Sequence, residues 1–227
     1  MLVKNWMSKE VVTVHVNDTM QDAVKLLREH GIRMLPVMEQ GELVGIITDR
    51  DMKRASASDA TTLDVHELIH LLSTIKIKHI MTKNPITVPF DFTVEETAEV
   101  LLKNKISGVP VLNHDKEIVG TITQTDLFKV LISLTGAGAK GLQFAFEAED
   151  RPGSIKELAD IIGKYRGRVV NILSAYENVP QGYRKVYIRV FGINRSELLP
   201  GLKNELSKTA TLLYMVDHRE NFREIYL

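Results

Sequence analysis

Three stretches of the 227-residue chain combine side chains at spacings that could do chemistry. The first occurs twice, as Thr48-Asp49-Arg50-Asp51 and Thr123-Gln124-Thr125-Asp126, each after a strand-like run through Gly45 or Gly120 and each opening a helix-like run. A Thr followed three residues on by an acid resembles a capping box, which stabilises a helix start by about 0.5–2 kcal/mol and needs no ligand. The same geometry sets a carboxylate beside unpaired amides that favour phosphate, where it could accept from both hydroxyls of a ribose. The second stretch, His66-Glu67-Leu68-Ile69-His70, has the HExxH spacing of a zinc hydrolase. Its surroundings (Val65, Leu68, Ile69, Leu72, Ile75) follow a core-facing helical period, which explains it as packing. The third, Asp150-Arg151-Pro152-Gly153-Ser154-Ile155, is a strand-to-helix turn by its Pro and Gly alone; the amides of Gly153, Ser154 and Ile155 could also face a small carboxylate. Without Cys, and without a Ser/His/Asp arrangement, the chain reads as a non-enzyme that requires no cofactor or metal, with the HExxH hydrolase as the alternative.

The elements that position these groups follow from an internal repeat. Residues 3–38 lie over 77–112 at an offset of 74 without a gap, and Lys4, Met7, Lys9, Thr13, Val14, Thr19, Leu27, Ile32, Pro36 and Val37 meet identical residues. One inserted residue near Lys116 moves the offset to 75, after which 42–52 lie over 117–127. Each copy reads as a strand (11–16; 86–90), a helix opening at Thr19 or Thr93, two strands (34–38 and 43–48; 109–112 and 118–123) and a closing helix. A loop and a helix at 63–73 join the copies. The glycines of 136–141 read as a hinge, since the stretch lacks the GxxxxGK[ST] spacing of a phosphate loop. Beyond it come strand 142–147, helix 155–165, strands 168–176 and 183–191, helix 195–207 and strand 211–217, with 218–227 as a charged tail or short helix. That βαββαβ order is the split βαβ plan, an antiparallel sheet with both helices on one face. The expected class is α/β (α+β), divided as 1–74, 75–135, the hinge 136–141, 142–217 and the tail 218–227.

Composition narrows the partners. The 29 basic and 29 acidic residues leave no net field to attract nucleic acid or an anionic membrane surface, so neither is expected. No run of about 20 apolar residues occurs and charges interrupt the first ten residues, so a cytoplasmic protein is expected.

The strings Trp6-Met7 and Ile80-Met81, Thr13-Val14 and Thr87-Val88, GIRMLPV and KISGVPV, VGIITDRD and VGTITQTD recur in order over residues 1–135 and resemble a tandem pair of CBS domains, a Bateman module. The resemblance implies a pseudo-two-fold pair that binds adenine nucleotide (AMP, ADP or ATP) or a related adenosine compound as a regulatory ligand. It places Asp51 and Asp126 at ribose hydroxyls, with Thr48 and Thr123 near ribose and phosphate. Base pockets fall to Ser8, Val11, Thr13, Ile32 and Arg33 in one repeat and Thr82, Pro85, Thr87, Ile106 and Ser107 in the other, each completed by the acid of the opposite repeat. Arg33 aligns with Ser107, so one pocket gains a cation; Lys53, Arg54 and Lys129 are weaker phosphate candidates. DRPGSI followed by VVNILS resembles the ferredoxin-like ACT domain, which implies amino-acid binding at Asp150, Pro152, Gly153, Ser154, Ile155 and Asn171. The whole order is similar to the acetoin-utilisation AcuB family. Together these resemblances imply a homodimeric sensor with a partner enzyme; a structural adaptor with unused pockets is the remaining class.

Overall fold

The computed structural model describes residues 1–59, 73–138, 140–194 and 199–226. The HELIH stretch, with His66, Glu67 and His70, and nearly all of the joining helix expected at 63–73 lie outside the described residues. The chain forms two compact units, Met1–Val130 and Leu131–Leu227.

In the first unit, repeat one comprises β1 (Val14–His15), α1 (Met20–Glu29), β2 (Met34–Glu39), β3 (Glu42–Thr48) and α2 (Asp49–Asp59). Repeat two begins with α3 (Ile77–Ile80) and β4 (Thr82–Lys83), then runs β5 (Val88–Pro89), α4 (Val94–Asn104), β6 (Gly108–Leu112), β7 (Ile118–Thr123) and α5 (Gln124–Leu134). Thr19 and Thr93 start α1 and α4 with complete capping boxes to Asp22 and Glu96. Both residues of the β2–β3 turn, Gln40 and Gly41, have positive φ, as a two-residue hairpin whose twist matches its strands requires. The turn between β6 and β7 is longer and holds Lys116 at φ 64, where the repeat comparison places its inserted residue.

The expected strands at 11–16 and 86–90 shrink to two residues each, pairing Val14 with Val37 and Val88 with Val111. The cause is an exchange between the repeats. Ser8 bridges to Thr121 on β7, and β4 pairs Thr82 with Ile46 on β3, so the residues before each short strand cross from one sheet to the other. The segment ahead of each repeat packs on the opposite core. Val3, with Trp6 and Met7, belongs to the core of Val88, Leu101, Val109 and Ile122, while Ile77, with Ile80 and Met81, belongs to that of Val14, Leu27, Leu35 and Ile47. Identical backbone bonds fix both crossings: the amides of Val3 and Lys4 to the carbonyls of Phe92 and Phe90, those of Ile77 and Lys78 to Asp18 and Val16. Each crossing also seats a methionine on a glycine. A Cβ at Gly120 would lie 2.5 Å from Met7 Sδ and 2.8 Å from the Ser8 carbonyl, and one at Gly45 would lie 2.6 Å from Met81 Sδ.

The second unit runs β8 (Leu142–Glu149), α6 (Ser154–Lys164), β9 (Arg168–Ala175), β10 (Tyr183–Phe191), α7 (Leu199–Thr209), β11 (Thr211–Asp217) and β12 (Phe222–Ile225). Its antiparallel sheet has the order β12-β11-β8-β10-β9, the split βαβ arrangement with one added edge strand. Alternate residues of β8 (Leu142, Phe144, Phe146, Ala148) enter a core with Leu158, Ile161 and Ile162 of α6 and Leu199, Leu202 and Leu206 of α7. The helix expected from 195 is described from Leu199 and runs to Thr209; Pro200 lies in its first turn, where a missing N–H costs nothing.

The tail 218–227 is neither free nor helical, because Phe222–Ile225 pair antiparallel with β11 and Tyr226 packs on the core. Its charge is met in place: Lys203 donates to both Glu224 oxygens at 2.8 and 2.7 Å. Gly136 and Gly141 lie in the second unit at close approaches, whereas Gly138 faces open space. Gly136 (φ +62) would set a Cβ 3.0 Å from Val170 and 3.3 Å from Arg189, and Gly141 would set one 2.5 Å from the Val190 carbonyl. The last turn of α5 is held just ahead of them, where Asn171 Nδ2 donates to the Leu134 carbonyl (2.6 Å) and Arg189 Nε to the Thr135 carbonyl (2.7 Å).

Two predictions follow from this packing. Gly120→Ala drives a methyl against the Ser8 backbone and should lower the urea stability of the first unit by about 1–3 kcal/mol; an unchanged midpoint would contradict the close approach. In the second unit, desolvation, followed by the charges of Arg189 and Arg223, holds the His218 imidazole below its usual range. Just below the unfolded pKa of about 6.5, the unfolded chain thus binds more protons than the fold does. Stability from this group is full above about pH 6.5 and is lost as pH falls through the folded-state pKa. The urea midpoint of the second unit should drop between about pH 7.5 and 5.5, and the drop should flatten in His218→Gln.

Candidate functional site

The T-x-x-D stretches build helix starts. Thr48 and Thr123 end β3 and β7, and each donates its amide and hydroxyl to Oδ2 of the acid three residues on: 2.9 and 2.7 Å to Asp51, 3.0 and 2.7 Å to Asp126. The first amide of α2 bonds to the Arg33 carbonyl (3.2 Å) and that of α5 to the Ser107 carbonyl (2.9 Å). Each carboxylate is thereby tied to the residue just before β2 or β6. The reciprocal bond of a capping box, from the Asp51 amide to the Thr48 hydroxyl (3.4 Å), is made in the first copy, and Asp126 of the second copy has a further setting.

Asp126 borders a cleft of about 470 Å³ between the repeats, within the roughly 300–1,000 Å³ typical of small-molecule sites. Repeat one supplies Ser8, Glu10, Val12, Gly31, Ile32, Arg33 and Met34; repeat two supplies Ser107, Gly108, Thr121, Thr123, Gln124, Thr125, Asp126 and Lys129. The crossing described above creates this juxtaposition, because the Ser8–Thr121 bridge draws the run from Ser8 to Val12 alongside β7. Lys129 Nζ reaches Asp126 Oδ1 at 3.0 Å. The walls thus offer two carboxylates, two cations, several hydroxyls and the apolar Val12, Ile32 and Met34, a set that suits a flat heteroaromatic base joined to a polyhydroxylated, charged moiety.

Of the residues expected at the base and ribose sites, the cleft gathers Ser8, Ile32, Arg33, Ser107, Thr123 and Asp126. Val11 and Thr13 do not line it. Every second residue from Ser8 to Val12 does, so Glu10 and Val12 take the places assigned to their odd-numbered neighbours. Thr48, Asp51, Thr82, Pro85, Thr87 and Ile106 belong to the pseudo-equivalent set and do not line this cleft either. Thr82 pairs with Ile46, and the Ile106 carbonyl accepts from Gln124 Nε2 at 3.4 Å. The sequence expectation also missed Gly31, Met34, Gly108, Thr121, Gln124 and Thr125. Applying strand parity to the repeat alignment could have found Glu10 and Val12; Gly31 and Gly108 carry no signal short of the packed geometry.

In the second unit Gly153 caps α6 with φ 88, Ser154 is buried, and Arg184 bridges the turn by donating to Ser154 Oγ (3.0 Å) beside Asp150 (3.5 Å). Arg151 ties the turn to α6 through Glu157 and to β8 through Glu149, and these carboxylates, Glu157 foremost, hold its guanidinium above its usual range. Asn171 does not join this loop. It pairs with Arg189, which pairs with Gln143, six residues along β8 from Glu149, about 20 Å away at ~3.4 Å per residue. Its amide is spent on the Leu134 carbonyl. Asp150, Pro152, Gly153, Ser154 and Ile155 stay together, and Asn171 of the same chain is at the other end of the sheet. Among the described residues no group of three or more His, Cys, Asp or Glu could hold a metal, and no helix is long and apolar enough to cross a membrane.

A duplicated strand-helix-strand-strand-helix unit with exchanged leading segments and a cleft between its halves defines a paired α/β module. The chain belongs to the CBS domain family, whose pattern matches residues 3–58 and 77–133. A CBS domain-containing protein of Dictyostelium discoideum is 34% identical over 134 residues, 59% of this chain and 92% of the relative. Inosine-5'-monophosphate dehydrogenase of Korarchaeum cryptofilum (34% over 125 residues) and L-aspartate semialdehyde sulfurtransferase of Methanocaldococcus jannaschii (37% over 130) also match, but this chain spans only 23% of either enzyme. Among solved structures, the CBS domain pair of protein MJ0100 in complex with 5'-methylthioadenosine and S-adenosyl-L-methionine is 34% identical, with a TM-score of 0.51, over 59% of this chain and 97% of that one.

Proposed function

We propose that this protein is a non-enzymatic sensor that binds an adenosine compound, AMP, ADP or ATP in the first instance, in the cleft between its CBS repeats. The observation that carries the reading is Asp126, a carboxylate fixed by the Thr123 cap on the wall of a cleft shared by both repeats. The ribose hydroxyls are assigned to Asp126, the base to the Val12, Ile32 and Met34 side, and a phosphate to Arg33 and Lys129. The complex of the MJ0100 CBS pair with two adenosine compounds supports that ligand class. Asp51, with Thr48, Thr82, Pro85, Thr87 and Ile106, is assigned to the pseudo-equivalent position.

Regulation follows if the ligand favours one arrangement of the repeats over another. Helix α5 is the element suited to carry the signal, since its first turn lines the cleft and its last turn is capped within the second unit. We assign the second unit to the ACT type on its split βαβ order and its DRPGS turn. An amino acid would meet Asp150, Pro152, Gly153, Ser154 and Ile155 there. The edge strand β9, with Val169, Val170 and Leu173 each more than a third exposed, suits pairing of two copies into a homodimer. Acetoin or related carbon metabolism, through a partner enzyme, is the target the family resemblance suggests.

Calorimetric titration with AMP, ADP, ATP, S-adenosylmethionine and 5'-methylthioadenosine tests this reading. Asp126→Ala should weaken binding about tenfold to a hundredfold, about 1.5–3 kcal/mol. Removing the cap alone costs only about 0.5–2 kcal/mol of stability, so the variant should stay folded. Unchanged affinity in both Asp126→Ala and Asp51→Ala would sink the assignment.

A further inference from the structure

The acceptor capacity of Asp126 is nearly exhausted in this structure. A carboxylate offers about four acceptor sites. The Thr123 amide and hydroxyl take two on Oδ2, and Lys129 takes one on Oδ1, which leaves a single site on Oδ1. A ribose presents two neighbouring hydroxyls. Both can be accepted only if a present partner withdraws, and the Thr123 bonds hold the start of α5. Lys129 is the partner free to leave, because its side chain is 65% exposed while that of Asp126 is 13% exposed. In the first repeat Asp51 has the same Thr48 bonds, but the residue equivalent to Lys129 is Arg54, and the lysine beside it, Lys53, pairs with Asp49 at 3.6 Å.

We infer that Lys129 is a specificity-determining residue of the cleft: it occupies the ribose acceptor, is displaced by the diol, and then gives its charge to an anionic 5' substituent. The cleft therefore favours adenosine 5'-phosphates over adenosines with a neutral 5' group. This rests on the reading of the cleft as an adenosine site. A neutral ligand must break the Lys129–Asp126 pair and return the ammonium to water, whereas a phosphate offers it a charge-assisted bond in exchange. Arg33, on the facing wall, adds a fork-shaped donor to the same anion.

Titration calorimetry on the full chain with AMP and adenosine as probes tests the inference. In Lys129→Gln, AMP should weaken about tenfold while adenosine holds or tightens, so the ratio of the two affinities falls at least about tenfold. Lys129→Arg should keep the ratio within about threefold of the wild type. An unchanged ratio in Lys129→Gln, with both probes lost in Asp126→Ala, overturns the inference and leaves the cleft reading standing. If neither probe responds to Asp126→Ala, or neither binds the wild type, the cleft reading fails and the inference falls with it.

Discussion

The exchange of leading segments between the two repeats is the constraint on which the first unit depends. Val3 and Ile77 are wholly buried, each in the core of the repeat it does not precede, so neither core is complete without the other repeat's chain. Burying a valine or isoleucine contributes about 1.5–3 kcal/mol, and the paired backbone bonds satisfy groups that the crossing would otherwise strand. Methionine suits the contact with Gly45 and Gly120 because its flexible thioether can lie along a bare backbone where a branched side chain would clash. Since the crossing also bridges Ser8 to Thr121, the cleft is a by-product of core formation and needs no elements of its own.

Within that frame one group of atoms serves stability and recognition together. Among the described residues of the first unit, four Thr amides donate to the acid three residues on, at Thr19, Thr48, Thr93 and Thr123. The boxes at Thr19 and Thr93 start helices on the exposed side and end their role there. Asp126 is different because its other oxygen faces a cleft, where partial burial strengthens any hydrogen bond it accepts. The chain as a whole is neutral, so the cations of the cleft, Arg33 and Lys129, act at short range and not through a steering field.

The repeat, the caps and the split βαβ order were legible in the sequence because each is a local pattern. Thr19, Thr93 and the insertion at Lys116 could be read from spacing and turn chemistry alone. The exchange was not legible, because self-comparison establishes which residues are equivalent and not which repeat each one packs upon. The side of the run from Ser8 to Val12 that lines the cleft was hidden for the same reason, since it depends on the Ser8–Thr121 bridge, a contact between residues 113 positions apart. β12 was hidden by its charge density, since Arg223 and Glu224 find partners only once Asn221 and Lys203 have been brought beside them. The place of Asn171 was not legible because the motif names a residue type on a strand, and only register tells which end of the sheet it reaches.

Arg189 ties the turn that follows α5 to the sheet of the second unit. Its side chain is buried against Gln143, which accepts from Nη2 at 2.8 Å, and no carboxylate is paired with it among the described residues; burial disfavours its charge. The compensation comes from the Thr135 carbonyl at the C-terminal end of α5, where the helix dipole is negative. Pulling that turn away would leave a buried guanidinium with one bond fewer, and hydrogen bonds to charged groups contribute about 1.5–3 kcal/mol each. Gly136, pressed against Val170 and Arg189, reinforces the hold.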